Sequence, residues 1–304
     1  MSTTTFDRTT RSAAPSSGSG LRETRLIIRR EVLTRLGNRT ILTATGLLAL
    51  FAGAAAGIGG WFLVDSLGGA GAMDFDPRAI FATAMISALL ASLVYSASSL
   101  TSGVVEEKSS RIVEILLTKI GIVPLLAGKM IGIGLVTLVQ LLAIGGTAVV
   151  GFSVVGGWSL INVAVGPSLL WFLLWFLLGY VIFAALNTTL ASTVSRQEDL
   201  GTAVMPLSVL QMVLLVVSLY VLPMNMGNPW LEGLSFVPLF SSYLMPMRFA
   251  LEDVSTWEMV LAAGVSVAAI PALFWLATVI YRNNALRTGS RVSLQQSLTS
   301  DEMA

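Results

Sequence analysis

Six stretches of this chain are each long and apolar enough to cross a lipid bilayer, and that pattern limits the fold more than anything else in the sequence. They run over residues 41–64, 79–103, 125–152, 166–190, 201–222 and 257–281. A helix needs about 20 mostly apolar residues to span the hydrocarbon core. Backbone in lipid must satisfy its own hydrogen bonds, which leaves helices or a closed barrel. Stretches of this length are helical, so the expected fold class is an all-α polytopic membrane protein with six transmembrane helices. The composition agrees. Charged residues make up 12% of the chain, against about 25% in soluble domains, and mean hydropathy is +0.81. With no cysteine and no histidine, the chain lacks thiolate metal ligands, disulfides and the commonest general base. No acid pair lies within a span, so the usual parts of an embedded enzyme are missing. The expectation is a non-enzymatic protein with neither a metal site nor a cofactor of its own, and no nucleic-acid partner.

The few charges are placed unevenly. Sixteen of the 18 Lys and Arg residues precede the first span, lie in the second-to-third and fourth-to-fifth connections, or follow the last span. The opposite side keeps Arg78 and Arg248 but holds seven acids, Asp65, Asp74, Asp76, Glu232, Glu252, Asp253 and Glu258. The positive-inside rule then predicts a multi-pass plasma-membrane protein with both termini cytoplasmic. Residues 1–20 are rich in Ser, Thr and Gly and read as a disordered tail. Residues 21–40 read as an interfacial helix, with Leu21, Ile28, Val32 and Leu36 on one side and Arg25, Arg29 and Arg35 flanking it. Residues 41–282 form one six-span domain, and 283–304 form a cytoplasmic tail.

Two connections stand out. The fifth-to-sixth is long, apolar and broken by Pro223, Pro229, Pro238 and Pro246. Its pieces are too short to span, which predicts outer re-entrant helices near 228–248. The second-to-third holds "GVVEEKSSRIVEILLTK", from Gly103 to Lys119, dense in charge between two apolar runs. As a helix over 104–118 it places Glu107 four residues before Arg111, a favourable ion-pair spacing. Ile112, Ile115 and Leu116 cluster on its other side. Such a helix lies along the cytoplasmic surface, where Lys129 snorkels from the start of the next span. Its charged face serves either as a solvated anchor or as a docking surface, and residue physics does not choose between the two. "GIVPLLAGKM" is no phosphate loop, because six residues separate its glycines and Met130 follows the Lys.

"EEKSSRIVEILLTKIGIVPLLAGKMIGIGL" resembles the signature of ABC-2 type permeases, in particular the NatB-like branch. "ALNTTLASTVSRQEDLGTAVMP" and "FVPLFSSYLMPMRFALEDVSTWE" resemble the same family's fourth-to-fifth connection and its Pro-rich outer segment. The resemblance covers about residues 95–282. It implies the ABC-2 exporter fold, with the charged block as a coupling helix whose Glu106, Glu107, Lys108, Arg111 and Glu114 dock on an ATP-binding subunit. It further implies two such subunits holding ATP and Mg, a second permease as homodimer or similar paralogue, and export of an amphipathic drug, lipid or peptide, or of sodium. A motor-independent channel or scaffold is the alternative. This chain lacks the large extracytoplasmic insertion that many NatB-like chains carry between the first two spans, so no substrate is carried over from that branch.

Small and polar residues within the spans complete the site candidates. Gly53 and Gly57 lie on a small-residue stripe in the first span, suited to packing within the chain or to a dimer interface. Gln140, Asn187 and Gln211 are rare large polar groups, either lining a translocation path or bonding helices to one another.

Overall fold

A chain this apolar exposes greasy side chains to lipid on one side of each helix and must choose its internal contacts by shape. The computed structural model describes residues 17–68, 77–110, 120–160, 165–251 and 254–285. Its α1 is Ser17–Leu36, α2 Arg39–Gly68, α3 Pro77–Ser109 and α4 Ile122–Val154. After a short 3-10 turn at Gly157–Leu160 come α5 Val165–Ser192 and α6 Gln197–Val216. Two short helices, α7 Pro229–Leu234 and α8 Pro238–Leu251, precede α9 Thr256–Ala285. Every element in the described residues is helical, and six helices are long and apolar enough to cross a membrane. They correspond to the six stretches expected from sequence.

α5 is the hub. Of its spanning window 56% is buried, and it packs against α3, α6, α8 and α9. Its sequence explains this: Phe172, Trp175, Phe176, Tyr180 and Phe183 are all buried. One glycine makes room among them. A Cβ at Gly179 would stand 2.8 Å from Ser242 Oγ of α8, so only glycine lets the two helices approach there. Tyr180 donates to the Met130 carbonyl of α4 at 2.6 Å.

α2 sits at the edge, with 6% of its window buried, and packs mainly on α4. The two run in the same direction, joined by polar rungs. Gln140 Nε2 donates to Thr45 Oγ1 at 2.8 Å, and Thr147 Oγ1 donates to the Ala49 carbonyl at 2.6 Å. Beyond them Gly53 meets Thr147, and Gly57 meets Gly151. The structure therefore gives Gly53 and Gly57, weighed above as a dimer interface, a partner inside their own chain.

The Pro-rich connection folds as the two short helices α7 and α8. Asn228 Oδ1 caps α7 by accepting from the Trp230 amide at 3.0 Å. α8 has 14 residues, of which Ser241, Ser242, Tyr243, Leu244, Met245, Met247 and Arg248 are buried. α7, by contrast, buries none of its residues. Ser218, in the π-helical turn Val217–Val221 that follows α6, donates to the Tyr243 carbonyl at 2.7 Å.

Candidate functional site

The site lies at the end of the bundle that carries most of the Lys and Arg residues, here called the basic end. At about 1.5 Å per residue, α3 and α4, with 33 residues each, are about 50 Å long. The hydrocarbon core is about 30 Å thick. Both helices are longer than a straight crossing needs, and α1 packs on the first turns of α4.

Glycines set the fit. A Cβ at Gly128 would come within 2.8 Å of Ile27 Cβ, and one at Gly132 within 2.7 Å of Glu31 Cβ. Ile27 and Glu31 are buried as a result. Of the apolar stripe expected from sequence, Ile28, Val32 and Leu36 are half-buried and Leu21 is 79% exposed. The close approach that the two glycines allow seats Ile27 and Glu31 against α4.

Charges converge on this contact. Lys129 Nζ donates to Glu107 Oε2 at 2.7 Å, and Arg30 Nη2 donates to Glu107 Oε1 at 2.8 Å. Arg30 also meets Glu31 at 3.3 Å, and Arg35 Nε meets Glu31 at 3.3 Å. Arg35 Nη2 donates to the Ser99 carbonyl of α3 at 3.1 Å. Two carboxylates and three cations thus tie α1, α3 and α4 together. The Glu107 and Lys129 side chains are 11% and 5% exposed, while that of Arg30 is 51% exposed. Two further bonds join α3 to the end of α5 and to the start of α6. Lys108 Nζ donates to the Ser192 carbonyl at 3.0 Å, and Gln197 Nε2 donates to the Ser102 carbonyl at 2.9 Å.

These positions depart from a surface helix over 104–118. Residues 104–109 continue α3 as its last turns. Glu107 and Lys108 are buried in bonds to their own chain, and Glu106 is exposed. Arg111 and Glu114 lie outside the described residues. Lys129 does not snorkel outward: a partner within bonding distance holds it inside at 4% exposure. The Glu107–Lys129 pair joins the end of α3 to α4, and Arg30 joins α1 to it, at the point where α3 leads into the charged connection.

The pattern of ABC-2 family transporter proteins matches residues 64–279. The chain belongs to the ABC-2 transporter family. The uncharacterized protein YhaP of Bacillus subtilis is 27% identical over 219 residues, 68% of this chain and 51% of that protein. The uncharacterized protein MJ1024 of Methanocaldococcus jannaschii is 25% identical over 218 residues, 67% of this chain and 50% of that protein. The chain spans about half the length of these curated relatives.

For an ABC-2 transporter, the polar groups of the spans are natural candidates for a path. The structure does not bring the three together. Gln140 is engaged with Thr45 between α4 and α2, with its Oε1 unpartnered. Asn187 donates to the Phe183 carbonyl of its own helix at 2.8 Å. Gln211 reaches the Tyr243 hydroxyl at 3.5 Å. A cleft among Phe81, Met85, Trp171, Phe172, Pro246 and Phe249 holds about 20 Å³, room for about one water.

Sequence reasoning did not find Arg30 and Glu31 as partners of the charged block. The signal was present in Lys129. A cation at the fifth position of an apolar span calls for a counter-ion, and Glu107 is the acid of the family-like "EEK" run that supplies it.

Proposed function

We propose that this protein is the membrane subunit of an ABC exporter, moving an amphipathic substrate with energy from ATP hydrolysed on a separate subunit. The observation that carries the reading is the junction of Glu107 with Lys129 and Arg30. It locks the end of α3 to α1 and α4 directly before the charged connection over residues 111–119. A push on that connection is passed to three helices at once instead of being absorbed by a loose loop. The exposed Glu106, with Arg111 and Glu114, forms the docking face, and Glu107 and Lys108 transmit the push from behind it. ATP and Mg are held by the partner. The assembly is two permeases with two ATP-binding subunits, with the basic end and both termini in the cytoplasm. The NatB-like resemblance makes sodium the second cargo to consider, although no carboxylate lies mid-span to bind it. A channel without a motor is the alternative.

The test is copurification of the full chain from its native membrane in mild detergent. A nucleotide-hydrolysing subunit is expected to accompany the parent chain. The charge reversals E106K, R111E and E114K together are expected to release it while the permease still inserts. Absence of any such subunit, or retention by the triple variant, overturns the proposal.

A further inference from the structure

The arginines of α1 fall into two sets. Arg30 and Arg35 are spent inside the protein on Glu107, Glu31 and the Ser99 carbonyl. Arg22, Arg25 and Arg29 lie on the side away from the buried Ile27 and Glu31, and all three are exposed. None of them makes an ion pair or hydrogen bond among the described residues. Leu26 and Leu33, 57% and 60% exposed, stand among them. Spacings of three and four residues put this set on one helical face.

Depth follows from the packing. α1 climbs α4 in parallel, with Gly20 opposite Pro124, Ile27 opposite Gly128 and Glu31 opposite Gly132. α2 starts at Arg39, and its Thr45 bonds Gln140. At about 1.5 Å per residue this puts the start of α2 level with about residue 134 of α4. If hydrocarbon begins there, Arg29 and Arg25 lie roughly 6–11 Å below it along the axis. The headgroup layer is about 5–8 Å thick, and a guanidinium on its long stem covers the remaining distance.

We propose that the outward face of α1, comprising Arg22, Arg25 and Arg29 with Leu26 and Leu33, binds the phosphate headgroups of anionic phospholipids. Three unpaired guanidinium groups supply bidentate donors for phosphate. Leu33, level with about residue 134 of α4, meets the glycerol and upper acyl region, and Leu26 lies among the headgroups beside the arginines. Because Arg30 and Arg35 sit on the same helix, a lipid held on one face is linked to the ion network on the other.

The experiment uses the full chain in nanodiscs of phosphatidylcholine with a minority of phosphatidylglycerol. Lipid retained after detergent exchange is measured by mass spectrometry. The parent chain is expected to enrich phosphatidylglycerol over its bulk fraction. R22Q/R25Q/R29Q is expected to lose that enrichment, with roughly a fivefold preference lost per arginine near the surface. R22K/R25K/R29K is expected to keep most of it. If the glutamine triple fails to insert, R25Q alone gives the same comparison with a smaller loss. Equal retention by parent and glutamine variants overturns the proposal. So does loss of ATP-binding-subunit copurification with lipid retention unchanged, which would assign the face to a protein. This outcome is independent of the docking face on residues 106–114.

Discussion

Replacing Glu107 by Gln removes the carboxylate bonded to Lys129 and leaves the shape of the junction almost unchanged. Lys129 is then a buried ammonium facing an amide. Breaking a buried pair by removing one partner costs about 3–5 kcal/mol. The second arm, to the half-exposed Arg30, adds about 0–1 kcal/mol because water screens it, and Arg30 keeps Glu31 at 3.3 Å. At about 2–4 °C per kcal/mol for a chain of this size, Tm falls on the order of 10 °C. E107Q/K129M removes both members of the pair together. With both charges gone no uncompensated ammonium is left buried, and the amide oxygen introduced at position 107 can still accept from Arg30, so the double variant recovers most of the lost Tm. The assay is thermal unfolding of the purified full chain, followed by loss of its monodisperse peak. An E107Q protein as stable as the parent refutes the reasoning, and so does a double variant as unstable as E107Q. Transport adds a second readout: if the pair transmits movement, E107Q/K129M is stable yet hydrolysis in the complex is poorly coupled to export.

Two glycines of α2 make a paired test of internal packing. A Cβ at Gly53 would lie 3.0 Å from the Thr147 carbonyl oxygen, whereas one at Gly59 meets nothing within 4 Å. G53A is expected to cost about 1–3 kcal/mol and G59A within about 0.5 kcal/mol of zero, both read by thermal unfolding. At the other end of the bundle, Arg248 is buried, donating to Ser235 Oγ at 2.8 Å and to Glu258 at 3.2 Å. R248M is expected to loosen α7 and α8, seen as faster proteolysis of the connection over residues 225–255 with the spans intact. An unchanged digestion pattern would show that the pair does not hold this connection.

The six spans were legible because length and hydropathy are all that a membrane crossing demands. α7 and α8 were legible because proline spacing kept their apolar pieces short. The junction was legible only in part. The charged block marked the right region, but the partners of α1 did not follow from its apolar stripe, because the contact is set by shape: Gly128 and Gly132 admit Ile27 and Glu31. For Gly53 and Gly57, of the two readings the sequence left open, the structure supplies a partner within the chain. "GKMIGIG" reads clearly only with the structure: Gly128 and Gly132 admit α1, Lys129 takes Glu107, and a Cβ at Gly134 would stand 2.6 Å from the Tyr180 ring.

The junction also sharpens the charge argument for orientation. A raw count treats every Lys and Arg alike, yet Arg30, Arg35, Lys108 and Lys129 are occupied within the chain. If those four carried the whole bias, the positive-inside reading would rest on charges that never meet the membrane surface in the folded protein. They do not. Arg22, Arg25, Arg29 and Arg39 at the same end are exposed. At the opposite end Arg248 is neutralised by Glu258. Subtracting the spent charges from both ends leaves an asymmetry of the same sign. Counting only unspent cations therefore leaves the same end basic as the sequence count does, in keeping with the proposed cytoplasmic orientation of that end.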